Sequence, residues 1–498
     1  MQIDLRFWPG VGIDIRRISA MKRITMKVAL GAFLIAPGAG AAGLEPEPPP
    51  AKIFAETAEQ KAERLKWWTD GRFGMFIHFG LYAMPARHEW VRSVERIPNE
   101  TYDAKYLPRF DPDLFDARDW ARRAKAAGMK YMVLTTKHHE GFCMWDTKTT
   151  DYKITRTPFG RDLVKEFADA CRAEGLHVGF YFSIIDWHHP DFTIDPVHPL
   201  RPRETYDADG KAKPGFTPES YAKLNEGRDM ARYREYMYAQ VRELLTEYGK
   251  IDIMWFDYTS KGEYGKSWRD WDSVRLLKMA RGLQPQIIVD NRLDLLDTED
   301  GFDFVTPEQF KVSEWPKWKG KKTYWETCQT FSGSWGYHRD EGTWKSPHQL
   351  IELLVHTVSF GGNLIMNVGP TARGEFDERA QDRLAAFGRW MHWNSRSIYG
   401  CTQAPEEFSR PEGTLMTYNP ERRRLYVHLV DYPMGVLAFE FYDRVAYAQF
   451  LHDGSEVNIV APGGTRHGQM VEMRIPGKIV LPVVKPNVEV PVIEFFLK

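Results

Sequence analysis

Residues 251–257 read Ile-Asp-Ile-Met-Trp-Phe-Asp, five of them apolar or aromatic, with no Gly or Pro. Such a run predicts a strand covered on both faces, as in a parallel sheet. It ends on a carboxylate, Asp257. A charge there is costly unless the strand opens onto a polar cleft. In (β/α)8 barrels that cleft lies at the carboxyl ends of the strands. Asp257 is therefore the candidate nucleophile at such a mouth.

The rest of the chain supplies the other strands. Apolar runs recur at 73–80, 131–137, 177–183, 251–257, 286–292, 303–308, 323–330 and 363–369. Helical patterns lie between most of them: Leu163, Phe167, Ala170 and Cys171 share one face, as do Tyr233, Met237, Val241 and Leu244. Ser346-Pro347 is a helix start with Pro at the first position. Eight strands alternating with helices predict an α/β fold, a (β/α)8-like barrel over 56–400. The Pro-, Asp- and Gly-rich insert 190–225 follows the third strand, so it is expected as a loop over the mouth. From 405 to 498 the pattern changes to alternating strands with Pro and Gly turns, which predicts a small C-terminal antiparallel β-sandwich.

Residues 21–42 have a basic front at Lys22, Arg23 and Lys27, an apolar stretch and a small-residue end. That is the grammar of a secretory signal peptide, and the apolar stretch is too short to span a bilayer. Residues 1–42 are accordingly expected as a leader, with cleavage near Ala41 or Ala42, and 43–55 as a Pro-rich tether. The mature protein is expected to be periplasmic or secreted, without a membrane span. A net charge of −1 with no long basic run argues against nucleic acid as a partner. The four cysteines form no CxxC pair, so a zinc knuckle is not expected.

Polar chemistry recurs where the strands end: His78 with Glu89 and Trp90, His138-His139-Glu140, Tyr181, Asp186 to His189, Trp255, Asn291-Arg292, Glu308, Glu326 with Trp335, and Asn367. Each has a bland reading alone, a satisfied core histidine for His78 or a structural ion pair for Glu326. Together they point to one shared cleft. Metal-assisted hydrolysis is one chemistry for it. Adjacent histidines on a strand face opposite ways, and neither HxH nor HExxH occurs, so no metal or other cofactor is expected. Glycoside hydrolysis by two carboxylates accounts for more of the residues. The 17 Trp fit either a large aromatic core or stacking on sugar rings.

The chain resembles the retaining α-L-fucosidases of glycoside hydrolase family 29. The resemblance runs from Ala55 to Tyr399 and rests on W-W-x-D-G-R-F-G-M-F-I-H-F-G at 67–80, E-W at 89–90, K-H-H-E-G-F at 137–142, W-F-D at 255–257 and W-E-T-C…S-W-G-Y at 325–337. It implies a barrel followed by a β-sandwich, with Asp257 as nucleophile. It implies fucose contacts at His78, Glu89, Trp90, His138, His139, Tyr181, Trp255 and Arg292, with Trp335 closing the apolar side of the sugar. Glu308, in Thr306-Pro307-Glu308, matches the acid/base of bacterial members, and Glu326 is its rival. The family motif often continues W-F-D-G, whereas Tyr258 stands here in place of that Gly. The implied activity is exo-acting removal of terminal α-L-fucosyl units from glycans or glycoconjugates by double displacement. A non-catalytic fucose-binding protein and a barrel glycosidase for a related sugar are the alternatives. Linkage preference and oligomeric state are not encoded in these motifs.

Overall fold

The computed structural model describes residues 48–203, 205–206, 212–213, 215–260, 262–461 and 477–498. The expected leader lies outside the described residues.

Seven parallel strands curl into one sheet: β1 (Phe73–Ile77), β2 (Tyr131–Lys137), β3 (His177–Ser183), β4 (Ile253–Asp257), β5 (Ile288–Val289), β6 (Glu326–Thr330) and β7 (Asn363–Val368), in the order β6-β7-β1-β2-β3-β4-β5. Every residue of β1, β2, β4, β6 and β7 is buried. That is why β1, β4 and most of β2 and β7 read as continuous rather than alternating apolar runs; β6, Glu-Thr-Cys-Gln-Thr, is buried although largely polar.

The expected strand at 303–308 does not form as a regular element. It spans the gap between β5 and β6 through isolated parallel bridges, Asp290 to Phe304, Val305 to Trp325 and Glu308 to Cys328. The sequence explains the irregularity. Pro307 has no N–H to donate to a ladder, and the Thr306 N–H is taken by the Asn291 side chain at 3.1 Å. β5 is shorter than its apolar run for a related reason. The Asp290 carboxylate, rather than a backbone carbonyl, accepts the Phe256 N–H at 3.1 Å.

The expected sandwich is present. Thr402–Gln403, Thr414–Asn419, Arg424–Leu429, Val492–Leu497 and Val445–Phe450 form a five-stranded sheet in that order; Val436–Phe439, Gly477–Val480 and Asn458–Val460 form a three-stranded one. Leu425, Val427, Phe439, Ile479 and Phe495 are buried in one apolar core that both sheets share.

The described part of the insert at 190–225 is tied down on the barrel's loop side. Val197 O accepts from Ser93 Oγ at 2.6 Å, and Thr193 O accepts from Lys266 Nζ at 2.9 Å. Its C-terminal part is a helix, Pro218–Leu224.

At the amino end of the barrel, a charged cluster joins the irregular sixth segment to the entry helix Ala58–Gly71. Arg64 donates to Asp303 at 2.6 and 3.0 Å and to Glu56 at 2.6 and 2.7 Å. Asp303 is buried, which disfavours its charge, but Arg64, Lys61 and Arg281 outweigh burial and hold its carboxyl below the usual range. Removing one partner of such a pair leaves a buried charge under-compensated, at a cost of about 3 kcal/mol or more. Arg64→Met is expected to lose about that much stability in urea unfolding. A loss under about 1 kcal/mol would show that the barrel closes without this cluster.

Candidate active site

Asp257 is the last residue of β4. Two donors fix its carboxylate: Tyr181 on the neighbouring β3 donates to Oδ2 at 2.7 Å and Arg292 Nη1 donates to Oδ1 at 2.8 Å; His139 Nε2 stands 3.7 Å from Oδ2. Burial works against the charge. Arg292, His139 and the Tyr181 hydroxyl outweigh it and hold the carboxyl below its ordinary 3.8.

Arg292 links the two ends of the site. Its Nη1 meets Asp257, its Nη2 donates to Glu308 Oε2 at 2.8 Å, and its Nε donates to Thr306 Oγ1 at 3.0 Å. The guanidinium lies over the Trp255 ring, 4.6 Å from its centroid, a contact that adds cation–π attraction. Thr259 Oγ1 donates to the Arg292 carbonyl at 2.7 Å and so fixes the backbone behind it. One planar fork therefore holds both carboxylates within its own width plus two hydrogen bonds. That is compatible with the ~5–5.5 Å separation of a retaining pair. Glu308 is the open member, its side chain 43% exposed, against 12% for Asp257.

Glu326 does not join this cluster. It is the first residue of β6, so it sits at the amino end of the barrel, whereas Asp257 closes β4 at the carboxyl end. It is fully buried and accepts hydrogen bonds from Tyr131, the first residue of β2, and from Trp68 Nε1 at 3.2 Å. Burial raises its pKa to about 7, opposed by Tyr131, Trp68 and the Trp255 indole N–H. Its expected place among the strand ends is corrected by where β6 begins.

The histidines do converge. His78 Nδ1 lies 2.7 Å from Asn367 Oδ1, while the Asn367 amide N–H donates to the Trp335 carbonyl at 2.6 Å. The Asn oxygen is thereby the acceptor, so His78 carries its proton on Nδ1 and offers Nε2 as an acceptor. His139 Nδ1 lies 2.7 Å from Ser183 Oγ, and that hydroxyl already donates to the Ile185 carbonyl. His139 is thus also protonated on Nδ1. The rings of His138 and His139 are only 4.1 Å apart. The expectation that neighbours face opposite ways fails because β2 ends at Lys137 and both residues lie in the turn beyond it. The turn closes through Gly141 N–H to the His138 carbonyl at 2.9 Å. Gly141 has φ 83°, and a Cβ there would meet Asp186 Oδ1 at 2.1 Å, so only glycine fits. Burial keeps all three rings neutral. It lowers His78 to about 3 and His139 to about 4, and it pushes His138 well down.

The remaining expected residues surround these. Trp255 and Tyr181 stack with centroids 5.8 Å apart, and Trp335 lies 5.1 Å from the His78 ring. Trp90 meets His139 edge-on at 5.1 Å. Glu89 accepts the Gly336 N–H at 2.7 Å and so ties the first loop to the Trp335 loop; burial raises its pKa to about 7. His188 and His189 are engaged elsewhere: His188 Nε2 with Asp103 at 2.8 Å and His189 against Tyr236. Ser183 and Asp290 were not singled out from sequence, because nothing in their spacing marks them. Asn367 was marked only by its strand-end position.

A barrel whose strand ends gather two carboxylates on one guanidinium, neutral imidazoles and aromatic faces defines a glycoside hydrolase. A family model described as alpha-L-fucosidase matches residues 47–396, and the chain belongs to the α-L-fucosidase family. It is 29% identical to the tissue alpha-L-fucosidase of Homo sapiens over 400 residues, covering 75% of this chain and 77% of that one. The structure of alpha-L-fucosidase isoenzyme 1 from Paenibacillus thiaminolyticus superposes with a TM-score of 0.77 at 42% identity, covering 88% of this chain and 99% of that one. A trapped covalent intermediate of a family 29 alpha-L-fucosidase from Bacteroides thetaiotaomicron superposes with a TM-score of 0.71 at 27% identity, covering 88% and 96%.

The buried neutral histidines make a linkage prediction. The folded pKa of His78, about 3, lies below its ordinary 6.5. Its contribution is therefore present above pH 6.5 and lost as pH falls towards the folded value. His78→Asn removes that loss. Relative to the parent, the variant is expected to gain about 1.4 kcal/mol per pH unit between pH 6.5 and 5. Urea unfolding at several pH values measures it; parallel profiles would mean that His78 titrates normally in the fold.

Proposed function

We propose that this protein removes terminal α-L-fucosyl units from glycans by double displacement, with Asp257 as nucleophile and Glu308 as acid/base. Asp257 attacks C1 and the bond to the leaving oxygen breaks as Glu308 protonates it. A water then attacks C1, Glu308 takes its proton, and Asp257 is released. The observation that carries this reading is Arg292, which donates to both carboxylates at 2.8 Å. Glu308 is favoured over Glu326 because Glu326 starts its strand at the far end of the barrel and is fully enclosed.

The sugar contacts follow from the tautomers. His78 and His139 present Nε2 as acceptors to ring hydroxyls. His139 Nε2, 3.7 Å from Asp257 Oδ2, is placed to accept from the hydroxyl vicinal to the attacked carbon. A sugar of the wrong configuration would leave these buried acceptors unpaired, which is how such a site discriminates. Trp255 and Trp335 offer apolar faces to the ring, and Glu89, Trp90, His138 and Tyr181 complete the enclosure.

Asp257→Gly is expected to lose about 10³-fold or more of its turnover on an aryl α-L-fucoside, with azide restoring turnover as a glycosyl azide. Glu308→Ala should be rescued by azide and Glu326→Ala should not. Full activity in Asp257→Gly, or the reverse rescue pattern, would reassign the pair. A protein that binds L-fucose but never turns over the aryl fucoside would instead be the non-catalytic reading.

We further infer export, from the signal-like grammar of residues 21–42. Expressed in full in a Gram-negative host, the protein should be recovered outside the cytoplasm with a new amino terminus just after Ala41 or Ala42. Retention in the cytoplasm with the leader intact would oppose this.

A further inference from the structure

Tyr258 follows the nucleophile directly, and its backbone is left-handed, with φ 81°. That conformation is costly for a side chain as bulky as tyrosine and free for glycine. A strained residue persists only when its surroundings over-determine it, and such residues cluster at functional sites. The surroundings here are specific. The Tyr258 ring meets the His139 ring edge-on with centroids 5.2 Å apart, and it lies 5.8 Å from Trp90 at an interplanar angle of 54°. Thr259, the next residue, is hydrogen-bonded to the Arg292 carbonyl, and the Ser260 carbonyl accepts from Lys266 N and so anchors the following turn. The ring is partly exposed, whereas Asp257 before it is buried. It lies within electrostatic reach of both Asp257 and Glu308. The chain thus sets a partly exposed aromatic ring directly after Asp257, against His139 and Trp90 and within the field of Glu308.

We propose that Tyr258 is a specificity-determining residue. Its ring forms, with Trp90, an aromatic rim that packs against the C–H face of a sugar leaving group, so that position 258 sets the preference for saccharide over small leaving groups. The proposal rests on Asp257 and Glu308 being the reacting pair.

The test compares α-L-fucosyl fluoride, whose leaving group cannot reach the rim, with a fucosyl disaccharide. Tyr258→Gly and Tyr258→Asn both suit a left-handed backbone, and Tyr258→Phe keeps the ring. In the Gly and Asn variants kcat/KM for the disaccharide is expected to fall at least tenfold further than for the fluoride. The Phe variant should keep the parent's ratio. Tyr258→Gly should also melt higher than the parent, because the backbone strain is relieved. Equal changes on both substrates, or no change, would overturn the proposal. A Phe variant as impaired as the Gly variant would overturn it too, by assigning the effect to the hydroxyl. If one variant does not fold, the other two still give the ratio. A parent that fails to hydrolyse the fluoride would refute the underlying assignment, which keeps the two failures distinguishable.

Discussion

The site depends on one guanidinium. Arg292 joins two carboxylates that would otherwise repel, and it does so from a loop fixed by Thr259 and Thr306. The two carboxylates are not held alike. Asp257 has a donor on each oxygen and a third group nearby, while among the described residues the Glu308 side chain accepts from Arg292 alone. That asymmetry suits the two tasks. The proposed nucleophile must keep one direction of attack and stay ionised, and the donors Tyr181 and Arg292 serve both. An acid/base must first serve a departing oxygen and then an incoming water, and the more exposed carboxylate has access to both.

The histidines work by remaining uncharged. A cation beside Asp257 would compete with Arg292 and would offer hydroxyls no lone pair. Burial prevents this, and the hydrogen bonds at Nδ1 select which nitrogen stays open. Asn367 carries much of that selection. One amide group orients His78 through its oxygen and the Trp335 loop through its nitrogen. The His78 imidazole and the Trp335 loop, both assigned to the sugar under the proposed function, are thus referred to one side chain on β7.

Much of this was legible in sequence, and the exceptions have local causes. Seven of the eight expected strands form, and none of the seven runs contains proline. The eighth, at 303–308, contains Pro307 and gives up the Thr306 N–H to a side chain, neither of which a hydrophobicity pattern registers. The strand-end residues of β1, β2 and β4 were found because chemistry stands out at the end of an apolar run. The second strand was expected to end at Lys137, as β2 does, but the opposite-facing rule was carried past it to His138 and His139, which lie in the turn that Gly141 permits. Ser183 and Asp290 escaped because their importance lies in a partner rather than in a pattern.

The separation of Glu308 from Glu326 shows what a barrel adds to a motif. Both are glutamates following a threonine- or tryptophan-containing run, and both adjoin residues in the fucosidase-like signature. In a parallel barrel, however, the end of the strand decides the environment. Glu326 opens β6 and meets the amino-end residues Trp68 and Tyr131. Glu308 bridges to Cys328, two residues further along the same strand, from a segment that has already risen to the rim. Asp257 is at the far end of β4. Glu326 is enclosed among Trp68, Tyr131 and the Trp255 indole, whereas Glu308 shares the Arg292 guanidinium with Asp257. What Glu326 can do is brace the site from behind: its carboxyl ties Trp68 to Tyr131 and meets the indole N–H of Trp255, the ring over which the Arg292 guanidinium lies.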